Sequence, residues 1–111
     1  MKGRHIGEFE ELVLLAVHGL GEGAYGVAVH QRLEAETART VSIGAVYAAL
    51  DRLEAKRLVE SRMVAGTAVR GGRSRRAFSA TAAGLESLEE MQRVRERLWR
   101  AGRSSPVRPK S

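Results

Sequence analysis

Ser42-Ile43-Gly44-Ala45-Val46-Tyr47-Ala48-Ala49-Leu50-Asp51-Arg52-Leu53-Glu54-Ala55-Lys56 is the segment on which the fold turns. Ile43, Val46, Leu50 and Leu53 recur at helical spacing, Arg57 continues the line, and together they predict a helix from about Ile43 to Lys56. Ser42 has the side chain to cap this helix, and Val41 is placed to pack against Val46 across the cap. The opposite face carries Gly44, Ala48, Asp51, Arg52 and Ala55. Gly44, Ala45, Ala48 and Ala49 supply small residues at the leading end, so the backbone there can come close to whatever it meets.

Upstream, Thr37 to Thr40 reads as a turn, and a helix is expected from about Tyr25 to Glu36, with Val27, Val29 and Leu33 as its apolar contacts. A first helix is expected from about Gly7 to Leu20, carrying Phe9, Leu12, Val13, Leu15, Ala16 and Leu20. Its early acids, Glu8, Glu10 and Glu11, suit the positive end of the helix dipole, and Gly19, Gly21 and Gly23 end it. Downstream the period changes. Leu58 to Val64 and Arg75 to Ala80 read as two short strands around the glycine-rich stretch 65–74, a β-hairpin. Thr81 is a good cap for a last helix, from about Ala82 to Ala101. Leu85, Leu88, Met91, Val94, Leu98 and Trp99 spread over nearly half its circumference, wider than one packed neighbour requires. The residues from Gly102 onward, with Pro106 and Pro109, read as a flexible basic tail.

Helix, helix, turn, helix, hairpin, helix is the order of a winged helix-turn-helix, so the expected fold is mostly α with a small β-hairpin and an appended C-terminal dimerisation helix. The divisions are 1–80 for the DNA-binding domain, 81–102 for the dimerisation helix and 103–111 for the tail. In that architecture the third helix enters the major groove and the hairpin, or wing, reaches the flanking backbone or minor groove. The expected DNA-binding residues are Ser42, Gly44, Ala45, Tyr47, Ala48 and Arg52 on the helix and Arg70, Arg73, Arg75 and Arg76 on the wing. The arginines offer planar bidentate donors to phosphates around a bendable Gly71-Gly72. Tyr47 is expected to pack its ring while its hydroxyl reaches a phosphate. Leu85, Leu88, Met91, Val94, Leu98 and Trp99 are the expected dimer interface.

The charge agrees. The 111 residues carry 19 Lys and Arg against 13 Asp and Glu, a net +6. Residues 1–60 are slightly acidic, whereas 61–80 hold five arginines and no acid, and 97–111 hold five bases and no acid. Such stretches favour a polyanionic partner. There is no cysteine, which removes disulfides, thiolate metal sites and cysteine nucleophiles. The longest apolar stretch, Leu12 to Val17, is far short of a bilayer span, and the acids after Met1-Lys2-Gly3-Arg4 interrupt any signal-peptide core. A cytoplasmic protein with no membrane partner is expected. His5, His18 and His30 lie on separate segments without a metal pair, no nucleophile elbow is present, and Gly71-Gly72 lacks the lysine of a phosphate-binding loop. Neither an enzyme nor a cofactor is expected.

These pieces together resemble the PadR family of bacterial transcriptional regulators over about Gly7 to Leu88. The resemblance is carried by Leu12-Val13-Leu14-Leu15-Ala16-Val17, Tyr25-Gly26, Ser42-Ile43-Gly44-Ala45-Val46-Tyr47, Leu50-Asp51-Arg52-Leu53-Glu54, Leu58-Val59, Gly71-Gly72-Arg73 and Ala80-Thr81-Ala82-Ala83-Gly84. It implies a homodimeric, repressor-like protein on a palindromic operator, with the C-terminal helix building the dimer, as in the small subgroup with one such helix. The chain departs from the family where Ala77 precedes a single Phe78 and where Ala82 and Ala83 stand in place of a common proline. Trp99 lies about one turn beyond the tryptophan on which some relatives stack planar ligands, so a dimer-core role is the simpler expectation and any small-molecule effector stays unidentified. Two alternatives remain. A winged helix also serves as a protein–protein interaction module, and structured RNA is disfavoured because its deep, narrow major groove does not admit a helix.

Overall fold

The computed structural model describes residues 6–66 and 74–103. Helix α1 spans Glu8–Leu20, a single 3₁₀ turn follows at Gly21–Gly23, α2 spans Gly26–Thr37 and α3 Ile43–Ala55. Strands β1, Val59–Val64, and β2, Arg75–Ala80, form an antiparallel pair in which Val59 faces Ala80 and Val64 faces Arg75. Helix α4 runs Ala82–Arg103. The fold is the winged helix that the order of elements predicts.

One core joins all these elements. Val13, Leu14 and Val17 of α1 meet Val29 and Leu33 of α2 and Val46, Ala49, Leu50 and Leu53 of α3, closed below by Leu58, Val59, Phe78 and Leu88. Burying each large apolar side chain is worth about 1.5–3 kcal/mol, so this cluster supplies the main driving force for folding. Three apolar residues expected on packed faces lie outside it: Leu15 of α1, 43% exposed, and two at helix starts. Ile43 sits in the first turn of α3 with 41% of its surface exposed, and Val27 in the first turn of α2 is 54% exposed. Both stand at helix starts, where the packed face has not yet met its neighbour.

The joints between elements are local. Ser42 accepts from the backbone N–H of Ala45 at 3.0 Å and caps α3 as its sequence position predicts. The α2–α3 turn is fastened to α2 by two side chains: His30 Nε2 lies 2.6 Å from the Val41 carbonyl, and Glu34 accepts from the Val41 N–H at 3.0 Å. His30 is half-buried with this role. The hairpin is stitched to the α1–α2 connection by the Phe78 N–H donating to the Ala24 carbonyl at 2.9 Å and a bridge between Tyr25 and Ala77. Thr81 caps α4 through the Gly84 N–H at 3.0 Å, while its own hydroxyl donates to the Arg57 carbonyl. At Gly84 an added Cβ would stand 2.1 Å from the Leu58 carbonyl oxygen, so only glycine lets the first turn of α4 rest on that backbone.

Two acids of α1 do more than complement its dipole. Glu10 and Glu11 are buried, and each meets cations from a different element. Glu10 accepts from Arg52 Nε and Lys56 Nζ of α3, both at 2.7 Å, and Glu11 takes both terminal nitrogens of Arg95 from α4. Burial alone would raise the Glu10 carboxyl above its ordinary range, but the hydrogen bonds and charges of Lys56 and Arg52 outweigh it and hold the group lower.

Candidate nucleic-acid interface

The short-sided half of α3 is open to solvent. Ser42, Gly44, Ala45, Tyr47 and Ala48 are all exposed, whereas Ala49, interleaved with them, is buried against the core. The surface they form is backbone and small side chains, relieved by one large group, Tyr47. That ring lies across the start of α2. A Cβ on Gly26 would fall 2.3 Å from the Tyr47 Cζ and hydroxyl oxygen, so the glycine creates the space that the ring occupies. The Tyr25-Gly26 pair and Tyr47, read separately in the sequence, are therefore parts of one contact.

Beside that contact the wing begins. An open groove of about 320 Å³ is lined by Tyr25, Gly26, Val27, Tyr47, Met63, Ser74, Arg75 and Arg76. It brings Tyr47 of α3, the first turn of α2 and the distal rungs of the hairpin together. Arg75 lies over the Tyr25 ring, 4.1 Å from its centroid, which orders the guanidinium while leaving the residue exposed. Tyr25, Val27 and Met63 are additions to the expected site. Tyr25 and Val27 flank Gly26, and which side chains line the groove depends on how α2 and β1 meet.

The expected arginines divide. Arg70 and Arg73, with Gly71 and Gly72, lie outside the described residues, as does the tail 104–111. Arg75 is placed as an exposed cation beside Tyr47. Arg76 is not: its Nη2 donates to Glu54 Oε1 at 2.7 Å and its Nη1 lies 3.5 Å from Asp51 Oδ1, so two α3 carboxylates draw it inward. Neighbouring strand residues point to opposite faces, which is why consecutive arginines have different surroundings. Arg52 is also engaged, through Nε with Glu10, although half of its side chain stays exposed and its terminal nitrogens lie outside that bond. The sequence placed Arg52 on the open face of α3 but gave no sign of a buried acid on α1 that would reach it.

The six residues expected at a dimer seam also separate. Leu88 is 6% exposed within its own chain and belongs to the core, so its burial needs no partner, a correction that follows from α4 packing on α1 and β2 over its first turns. Leu85, Met91 and Val94 are half-buried. Leu98 and Trp99 stand 67% and 66% exposed on the far end of the helix. Among the described residues no cluster of acids and histidines is arranged for a metal ion, and no helix is long and apolar enough to cross a membrane.

Known structures share this arrangement. A PadR-like transcription factor of Bacteroides fragilis is 26% identical, with 86% of this chain and 87% of that one covered at a TM-score of 0.72. A PadR family regulator of Eggerthella lenta is likewise 26% identical, with 87% and 84% covered and a TM-score of 0.66. A PadR-like regulator of Bacillus cereus shares the fold at 24% identity and a TM-score of 0.69, with 86% and 88% covered. No curated protein sequence matches. The family model described as the transcriptional regulator PadR-like family matches residues 14–90, from the middle of α1 through the hairpin and into α4, and the chain therefore belongs to the PadR-like family of transcriptional regulators.

Proposed function

We propose that the protein is a sequence-specific repressor that binds a palindromic operator as a homodimer in a bacterial cytoplasm, without catalysis. The observation that carries the reading is the shared groove, where Tyr47 of α3 and Arg75 of the wing line one concavity. The α3 front, small-sided at Gly44, Ala45 and Ala48, suits close approach to base edges in a major groove about 12 Å wide. Arg75, with Arg70 and Arg73 in the same acid-free stretch of sequence, supplies cations for the flanking phosphates. Exposed Leu98 and Trp99 give the second copy an apolar surface to cover. Two copies would then present two α3 helices to successive major-groove faces, roughly 34 Å apart.

Selection of fragments from genomic DNA with the purified chain tests this directly. The expected product is an inverted repeat upstream of a gene, bound with an affinity that falls steeply as salt is added, because displaced counterions report phosphate contacts. Binding that ignores salt and sequence would instead favour a protein-interaction module. Arg75→Ala should weaken binding to many duplexes about equally, since a phosphate contact carries no base information.

A further inference from the structure

Among the described residues, the Glu54 side chain of α3 grips both strands of the wing. Its Oε1 accepts from Arg76 on β2 at 2.7 Å and its Oε2 accepts from the Ser61 hydroxyl on β1 at 2.8 Å. Arg76 adds an ion pair to Asp51 at 3.5 Å, and its guanidinium lies 4.8 Å from the centre of the Phe78 ring. We propose that Glu54 and Arg76 are positioning residues that latch the wing to the reading helix, and that Arg76 serves DNA binding through this latch and not as a phosphate ligand. The proposal rests on the DNA-binding reading above and adds to it how the wing is aimed.

Where the latch sits gives it leverage. Arg76 pairs with Met63, one rung short of the distal Val64–Arg75 pair, while the hairpin's root is held by the Thr81 N–H on the Leu58 carbonyl. A two-stranded hairpin is marginal by itself in water. At about 3.3 Å per residue, a swing of about 10° at the root moves the distal rung by roughly 3 Å, enough to take Arg75 out of hydrogen-bond reach of a phosphate. An exposed ion pair would be a weak restraint. Here two hydrogen bonds share one carboxylate, both charged side chains are half-buried, and an aromatic face backs the guanidinium. The α3 carboxylates also have a defined place: unpaired, Glu54 and Asp51 would repel a nearby phosphate backbone.

The test compares Glu54→Gln, Arg76→Gln and the double variant on a duplex recovered by selection with the wild-type chain and on a scrambled duplex. The latch predicts that each single variant weakens binding by about tenfold, that the double variant loses no more than either single one, and that the salt slope is unchanged. A phosphate-ligand role for Arg76 predicts the reverse: a slope smaller by about one for Arg76→Gln, and unchanged or tighter binding for Glu54→Gln, which removes a negative charge. That pattern overturns the proposal. Amide hydrogen exchange in the DNA-free chains gives an independent reading. Both single variants should speed exchange over 59–64 and 75–80 while α1 keeps its protection, and hairpin exchange equal to wild type also overturns the latch. If the wild-type chain bound neither duplex, the DNA reading would fall, and the exchange comparison would still decide whether Glu54 holds the wing.

Discussion

Two glycines show how single residues shape the site, and they should respond differently to the same change. At Gly84 a methyl group would meet the Leu58 carbonyl, a backbone atom that already accepts from Thr81 and cannot yield without lifting α4 off the hairpin root. Gly84→Ala should cost roughly 1–3 kcal/mol, the usual scale of overpacking, visible as a lower midpoint in urea unfolding at unchanged slope. At Gly26 the obstruction is the end of the Tyr47 side chain, which can rotate away. Gly26→Ala should therefore leave stability within about 1 kcal/mol, alanine being the better helix residue. Duplex affinity should nonetheless fall, because Tyr47 no longer lies where the groove is built. If stability and affinity fell together, or neither moved, the separation of these two roles would be wrong. Both glycines were visible in the sequence as parts of a family pattern. Their reasons were not, because each reason is a contact with an element far away in the chain.

At the scale of elements, the sequence was most legible where structure is local. Helix periodicity, the Ser42 and Thr81 caps and the two strands were all readable, since each depends on residues within a few positions of one another. Pairings across elements were not readable: Glu10 with Arg52 and Lys56 lies 42 and 46 residues away, and Glu11 with Arg95 lies 84 away. A carboxylate in a first helical turn looks like a dipole complement until the fold brings a cation to it. The same limit hides the ion pairs of Arg52 and Arg76, whereas Arg75 stands exposed over an aromatic neighbour. The Glu10 clamp between α1 and α3 has a pH signature. Its carboxyl is held below its ordinary value of 4.5, so the folded state binds the proton less well than the unfolded chain does. The clamp's contribution is therefore fully present above about pH 4.5 and is lost as pH falls through the lower, folded value. Glu10→Gln should flatten that part of the stability–pH profile, followed by urea unfolding between pH 6 and pH 3. A variant profile as steep as wild type would assign the acid sensitivity to other groups.

At the scale of the whole molecule, α4 has two ends with different tasks. Its first two-thirds pack on its own chain, with Gly84 on the hairpin root, Leu88 in the core and Arg95 clamped by the buried Glu11. Its last turns carry Leu98 and Trp99 into solvent, flanked by Arg97, Arg100 and Arg103. A 22-residue helix is about 33 Å long, so the exposed end extends well beyond the last core contact. Covering such side chains is worth about 1.5–3 kcal/mol each, and a second copy of the same helix is the partner that the proposed dimer supplies. Leu98→Glu should then yield a folded monomer by sedimentation with an unfolding midpoint near that of a wild-type chain diluted below its dimer dissociation constant. Leu88→Glu, which places a charge in the core, should instead unfold the chain. The monomer should also bind a palindromic duplex far more weakly, because its second half-site contact is no longer intramolecular, and linkage of this kind commonly contributes a factor of 10² to 10⁴. On a single half-site the variant and the wild type should be nearly equal, since α3, Tyr47 and Arg75 are untouched. A Leu98→Glu chain that remained dimeric would move the interface off the end of α4, and with it the assignment of Trp99 to the dimer core.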